Sequence, residues 1–525
     1  MSSLAPQDAT RHWLSRRTVN DLFLLYCFTD AGHPSERLRG EVLARAASIP
    51  DLCVRLRENR FAYPEWVRCT VTAEQITEPA LLDPSWPNVI AALEDLLSHG
   101  VRADEHPWRL YLFRGVRDAP GCAAPALVAV LQLSHALADG RRAAQIARAL
   151  WSDASTEPDA YPPPLSRGVA QMRDAIRSMR GVVRRSTALL RKSAPIPLDV
   201  PIELARKVIR EAIASLRPLK AVSLPIGSAR KVIRRRVVSL RPVEVMALLG
   251  MPVALARTVI RGFAAERARR GLEELTTRGE IDAPATEFPP TLLNHPPAPS
   301  AHAIRMLVRE DLRVPGRTVT VVAASAIAQA LSRYLAERGE PGVRLGAQVS
   351  MALPAADRQP AKSASRRRRP RNNYVDLAIE LPVDEPDPHR RADRITTALT
   401  ARRTRATHPL MTTRNAVTEV IPAPLLRRDI AGYPLDLSPD TLSGHTVISS
   451  VNRGPADLTF GGAPAHWTAG FPALGTVMHL THGIHGLGDK VTVSIHADPA
   501  VIPDIDVYAD LLNVALTETV SALRR

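Results

Sequence analysis

The chain has 525 residues, 45% hydrophobic and 23% charged, with a formal net charge of +16. That length suits two domains plus connecting material, and the composition excludes disordered, collagenous and polytopic membrane classes. Cys27, Cys53, Cys69 and Cys122 form no CxxC pair and no metal-ligand spacing. Their spread argues against a disulfide framework or a zinc module and fits a reducing compartment.

In chain order, the start offers no apolar leader. Ser15-Arg16-Arg17 faintly resembles a twin-arginine signal, but the apolar run Leu22–Phe28 stops at Asp30 with no cleavage site, so it reads as a core segment. Short apolar runs at Leu22–Phe28, Trp108–Phe113 and Ala126–Leu133 alternate with helical patterns at Ser35–Ala47 and Arg141–Trp151. This predicts an α/β layer over residues 1–165. Residues 283–525 read alike: a helix over Val319–Tyr334, strands over Val375–Leu381 and Val491–Ala497, and an amphipathic helix over Asp506–Leu523. The uncharged stretches Ala119–Ala138 and Leu458–Gly488 are broken by Pro, Gly and His, and neither reads as a transmembrane helix.

The middle, residues 166–282, differs. Between Arg167 and Arg270 there are 24 Arg and Lys against six Asp and Glu, a balance of +18 that exceeds the whole chain's +16. Pro201–Arg210 recurs as Pro225–Arg234 and, more loosely, as Pro252–Arg261. Each copy opens on a proline suited to a first helical turn. Arg206, Lys207 and Arg210 lie opposite an apolar arc, as do Arg257 and Arg261; Arg230, Lys231 and Arg234 are their counterparts in the second copy, whose apolar arc Arg236 interrupts. Basic amphipathic helices of this kind suit an anionic membrane surface. A solvated linker packed on the protein, or a nucleic-acid contact, are the competing readings; the aromatic fraction of 4% leaves few platforms for base stacking. Arg366–Arg369 with Arg371 form a second basic run, read as a loop tip or a further phosphate contact.

The sharpest chemical feature is Ser134-His135-Ala136-Leu137-Ala138-Asp139-Gly140, placed after an apolar run and before a helical pattern. A strand that delivers His, then Asp, then Gly sets an imidazole at a buried strand end, where a neutral ring can take a proton from a hydroxyl. The bland reading is a core histidine beside a turn. His479, His482 and His485 recur at three-residue spacing; on a helix they would suggest metal ligation, but among Gly and Thr they read as satisfied strand or loop histidines. No G-x-S-x-G elbow surrounds Ser134, Ser449 or Ser450, so a covalent hydrolase mechanism has little support.

The Ser134–Gly140 segment resembles the HHxxxDG motif of the coenzyme A-dependent acyltransferases. The rest resembles the bacterial wax ester synthase/diacylglycerol acyltransferase (WS/DGAT) family: Leu4–Ala9 is similar to its "LSPxDA", Pro107–Gly115 to "PLWxxxLxxG", Asn372-Asn373-Tyr374 with Leu381-Pro382-Val383 to "GNxxs…LPV", Ile448–Val451 with Gly454-Pro455 to "SNVPGP", and Pro503-Asp504 to the closing "vPD". The resemblance implies an α/β fold of two chloramphenicol-acetyltransferase-like domains with a tunnel between them, here joined by a basic helical crossover. It implies acyl transfer from acyl-CoA, as co-substrate, to diacylglycerol or a long-chain alcohol, with no covalent intermediate, no metal and no cofactor. His135 would be the general base, Asp139 and Gly140 would shape the loop, and Asn373 would be a candidate oxyanion donor or tunnel residue. The chain departs from the pattern at Ser134 (first His), at Thr320-Val321 (Asn-Asp) and at Ser450 (Asn). The expected setting is cytoplasmic, peripheral on the plasma membrane or on lipid droplets, with no nucleic-acid partner. The rivals are a same-fold acyltransferase with another acceptor and a catalytically weak membrane-binding paralogue, the latter motivated by Ser134.

Overall fold

The computed structural model describes residues 2–152, 241–294, 301–354 and 370–525. In the N-terminal lobe, β1 (Ser2–Ser3) and α1 (Pro6–Leu14) precede β2 (Leu22–Thr29), α2 (Ser35–Ser48), β3 (Val54–Arg57), β4 (Glu65–Arg68), β5 (Ile76–Thr77), α3 (Trp86–Leu96), β6 (Trp108–Val116), β7 (Ala126–Leu133) and α4 (Gly140–Trp151). After the 36-residue helix α5 (Pro242–Thr277) come β8 (Ala303–Arg309), α6 (Val319–Ala336), β9 (Leu345–Ala352), β10 (Tyr374–Leu381) and α7 (Pro388–Thr407). The chain ends with β11 (Thr446–Asn452), β12 (Thr459–Phe460), β13 (Ala463–Gly470), β14 (Leu480–Leu487), β15 (Lys490–Ala497) and α8 (Ile505–Leu523).

Two six-stranded sheets carry the fold, in the orders β12-β13-β2-β7-β6-β5 and β10-β9-β11-β14-β15-β8. Every residue of β7 is buried, as expected for a central strand covered on both faces. One face of the first sheet packs on α2 and α4 through Leu24, Tyr26, Phe28, Leu131, Leu150 and Trp151. Its other face, with Phe23, Leu25, Cys27 and Val130, meets α3 and reaches Ile304 of β8. In the second lobe α6 and α8 cover the sheet. The α6 segment is apolar and long enough to cross a membrane, yet 67% of it is buried, and here it is the core helix.

Two features differ from the sequence expectation. The C-terminal zone does not keep to its own sheet, because β13 pairs antiparallel with β2 and brings β12 into the N-terminal sheet. The third basic repeat does not open a helix at Pro252; that proline lies inside α5, which starts ten residues earlier at Pro242. An interior proline forgoes one backbone hydrogen bond, and here the helix continues through it. The first two repeats, with Arg206, Lys207, Arg210, Arg230, Lys231 and Arg234, lie outside the described residues, as do Arg366–Arg369.

Candidate active site

β7 ends at Leu133, paired with Leu22 on one side and Trp108 on the other, and delivers Ser134 and His135 to the sheet edge. The next turn runs into α4 because Asp139 is its N-cap: Oδ1 accepts the Arg142 N–H at 2.8 Å. Its other oxygen accepts the Asn373 N–H at 2.9 Å from the opposite lobe. One carboxylate thus starts a helix and ties two lobes, with no hydrogen bond to His135. Gly140 allows close approach: a β-carbon there would stand 3.1 Å from Val451 Cγ2, tight enough that the valine would have to shift. Ser134 is buried; its N–H donates to Pro107 and its Oγ accepts weakly from the Ala136 N–H.

The His135 ring is half-buried and stacks on Tyr374, with centroids 5.9 Å apart and planes at 19°. Its Nδ1 is buried without a hydrogen bond. Arg11 donates to the Tyr374 hydroxyl and lies 5.4 Å from that ring's centroid. Burial first, and the Arg11 charge second, push the imidazole pKa down to about 4, against the pull of its own carbonyl, Asn372 and Asp139. The ring is therefore neutral near pH 7, the protonation state that a base requires.

Three distant segments hold the loop. Asp8 of α1, buried, accepts both backbone N–H groups of Arg371 and Asn372 and the Asn372 side-chain amide at 2.9–3.0 Å. The same Asn372 amide donates to the His135 carbonyl at 2.7 Å. Arg371 donates to Asp51 at 2.8 Å and to the Leu137 carbonyl at 3.3 Å, and Asp51 also pairs with Arg142 of α4. Burial raises the Asp8 carboxyl pKa, opposed by these donors. Asn373 is placed differently from an oxyanion donor: its side-chain amide donates to the Leu353 and Pro354 carbonyls, and its N–H is on Asp139. The sequence reading named Asp8 and Asn372 only as parts of motifs; the pair of short-range patterns gave no sign that they meet.

Residues 372–519 match the model of the WS/DGAT C-terminal domain. The matched segment belongs to the family that the motifs resemble. The structure of a wax ester synthase/diacylglycerol acyltransferase from Marinobacter aquaeolei VT8 superposes with a TM-score of 0.55 at 15% identity, covering 99% of this chain and 98% of that one. A trichothecene 15-O-acetyltransferase from Fusarium sporotrichioides gives 0.50 at 10% identity, covering 100% and 95%. At these identities the likeness is one of fold, an α/β architecture with two sheet-rich lobes shared with acyltransferases. No curated protein matches the chain in sequence.

Two departures from the WS/DGAT pattern meet in space. Thr320 Oγ1, at the start of α6, donates to Ser450 Oγ on β11 at 2.9 Å. The matched segment also contains the spaced histidines, and they lie on or beside a strand. His482 and His485 belong to β14, where a separation of three residues sends neighbours to opposite faces. His482 is satisfied at both nitrogens, by Thr446 Oγ1 at 3.0 Å and the Tyr508 hydroxyl at 2.8 Å. His479 precedes the strand, with Nδ1 3.6 Å from Asp498. Among the described residues no group of three or more His, Cys, Asp or Glu is placed to hold a metal ion.

A cavity of about 620 Å³ opens between the lobes, lined among others by Asp21, Phe23, Phe471, His479 and His496. It begins beside the strand ends that deliver His135, since Asp21 and Phe23 flank Leu22, but His135 is not in its lining. Of the basic residues singled out in the crossover, Arg257 is exposed and Arg261 half-buried on α5. Ile260 and Phe263, members of the apolar arc of the third repeat on the same helix, are 44% and 39% exposed.

Proposed function

We propose that the chain is an O-acyltransferase that moves a fatty acyl group from acyl-CoA to diacylglycerol or a long-chain alcohol. The observation that carries this reading is the neutral, half-buried imidazole of His135, fixed at a strand end by contacts from both lobes while its Nδ1 makes none. His135 takes the proton of the acceptor hydroxyl as that oxygen attacks the thioester carbonyl; the tetrahedral adduct then expels the thiol, which receives the proton from the imidazolium. A thioester needs no further activation, so the protein's work is proton transfer and orientation. Asp139, Asn372 and Asp8 act by fixing the loop. Burial, helped by the Arg11 charge, keeps the ring neutral.

An insoluble acceptor calls for a lipid surface. Ile260 and Phe263, exposed beside Arg257 on α5, support a peripheral position on an anionic cytoplasmic membrane face or lipid droplet. The decisive assay supplies labelled acyl-CoA with diacylglycerol, hexadecanol or a polar alcohol. Product with either lipid alcohol supports the reading; product only with the polar alcohol moves the chain to a different acceptor class. Salt-sensitive flotation with anionic liposomes that is lost in Ile260→Asp/Phe263→Asp supports the surface assignment. Unchanged flotation removes it.

A further inference from the structure

The fold brings two cysteines together that lie 95 residues apart in sequence. Cys27, on β2, and Cys122, in the turn between β6 and β7, have their sulfurs 3.4 Å apart, and both are free thiols. Cys27 is fully buried and pairs across the ladder with Val128 and Trp467. Cys122 is half-buried, so a small solute can reach it. Its turn is held in place: the Trp467 indole N–H donates to the Pro120 carbonyl at 2.7 Å, and the Cys122 N–H donates to Ala119. A β-carbon on Gly121, at φ +67°, would stand 3.6 Å from Lys490 Nζ, so that ammonium, itself 3.5 Å from Glu310, lies beside the turn that carries Cys122.

These contacts divide the pair into unequal halves. The Cys27 S–H first, then the Lys490 charge, stabilise a thiolate on Cys122 and hold its pKa below the ordinary value despite partial burial. Cys27 is pushed the other way by the adjacent sulfur and by burial. A second pair supplies an internal contrast. Cys53 and Cys69 lie just beyond the end of the β3–β4 ladder, with the Cys69 N–H on the Cys53 carbonyl at 3.0 Å. Burial raises both of their pKa values, and Cys53 is engaged with the Ala46 and Ala47 carbonyls.

We propose that Cys27 and Cys122 form a hydroperoxide-reactive dithiol site, with Cys122 as the attacking sulfur and Cys27 as the resolving one. The Cys122 thiolate attacks one oxygen of the peroxide; the O–O bond breaks, leaving a sulfenic acid and hydroxide, which takes up a proton to become water. Cys27 then attacks the sulfenic sulfur, the S–O bond breaks, and a second water leaves with the Cys27 proton. In total two thiols lose two electrons, hydrogen peroxide gains them, and one disulfide and two waters result. The sulfurs must close from 3.4 Å to about 2.05 Å, a movement that the Cys122 turn can make more readily than β2. The bridge would stitch the turn to the strand beside which β13 crosses, level with Val128 and roughly 17 Å along β7 from Leu133, the strand end that delivers His135.

The test exposes the full chain to stoichiometric hydrogen peroxide, alkylates the remaining thiols and maps the peptides by mass spectrometry. The expected result is a Cys27–Cys122 linked peptide, with Cys53 and Cys69 alkylated and oxidised about tenfold more slowly. Cys122→Ser should abolish the bridge, and Cys27→Ser should leave a dimedone-trappable sulfenic acid on Cys122. Should Cys27→Ser fold poorly, limited alkylation of the wild-type chain gives the same ranking, with Cys122 labelled first. Four alkylatable thiols after peroxide, or a Cys53–Cys69 bridge with Cys122 free, would overturn the proposal.

Discussion

His135 and His482 both follow uncharged stretches at or on strands, and in sequence they look alike. In the fold they are opposites. His482 gives both ring nitrogens to the protein, to Thr446 and Tyr508, and sits wholly inside the C-terminal sheet. His135 commits its carbonyl to Asn372 and leaves Nδ1 without a bond on a half-buried ring. The first is a structural polar group, satisfied and costly to remove; the second is held by its backbone so that its ring stays available. The lesson is that a base is recognised by where its hydrogen bonds do not go, as much as by its motif.

The largest effect expected from this contrast is on stability. His482→Ala leaves the Tyr508 hydroxyl without its partner, strips Thr446 of one bond while its bond to the Leu480 carbonyl remains, and opens a cavity, costing about 2–4 kcal/mol, while the folded fraction keeps its rate of transfer. Thermal unfolding beside an activity assay checks both halves, and a rate loss with unchanged stability would reverse the assignment. Next come the residues that clamp the loop. Asp8→Ala and Asn372→Ala should each cost about 1–3 kcal/mol and lower kcat with little change in KM. The double variant should fall short of the sum, because both act through one network; strict additivity would show that they act separately.

The pH dependence is smaller but separates the two histidines from free ones. Burial holds the pKa of His135 near 4 and those of His482 and His496 near 3. The unfolded chain binds protons at about 6.5, so the stability from these neutral rings is complete above that pH and is lost progressively as pH falls toward 4 and 3. Asp21, raised to about 7 by burial, works in the opposite sense over the same range, since the fold favours its protonated form. With His485 also lowered, the imidazoles outnumber it and the net change on acidification is destabilising. Urea unfolding between pH 7 and 5 should show that decline. The acid limb of kcat/KM should lie near pH 4; a limb near 6.5 would mean that the base is solvated. The smallest effect is at the contact between α6 and β11 inside the second lobe, where a Thr320→Ala, Ser450→Ala cycle should yield a coupling of about 0.5–1.5 kcal/mol.

Local order was legible in the sequence wherever one period persisted. Val319–Tyr334 became α6 with two added residues, and the alternation of Val375–Leu381 became β10 with Tyr374 added. The Asp139-Gly140 pair was legible as a turn into a helix because capping is a local act. What the sequence concealed was contact between distant residues. Asp8 and Asn372 are 364 positions apart, yet one carboxylate spans the N–H groups of a segment from the other lobe. The crossing of β13 into the N-terminal sheet is equally non-local: Trp467 has no pattern that selects Cys27 as its partner. The four cysteines read as scattered because spacing along the chain says nothing about a turn folded back on a strand. Pro252 misled for another reason: a proline suited to a first turn lies here inside a helix that begins ten residues earlier, in spite of the backbone bond it forgoes.

The central claim is tested most directly by single-turnover transfer from labelled acyl-CoA with His135→Ala, at a folded fraction matched to wild type. The account predicts a fall of about 10²–10⁴-fold with thermal stability nearly unchanged, because the clamp bonds the His135 backbone and not its ring. Transfer at the wild-type rate would contradict it.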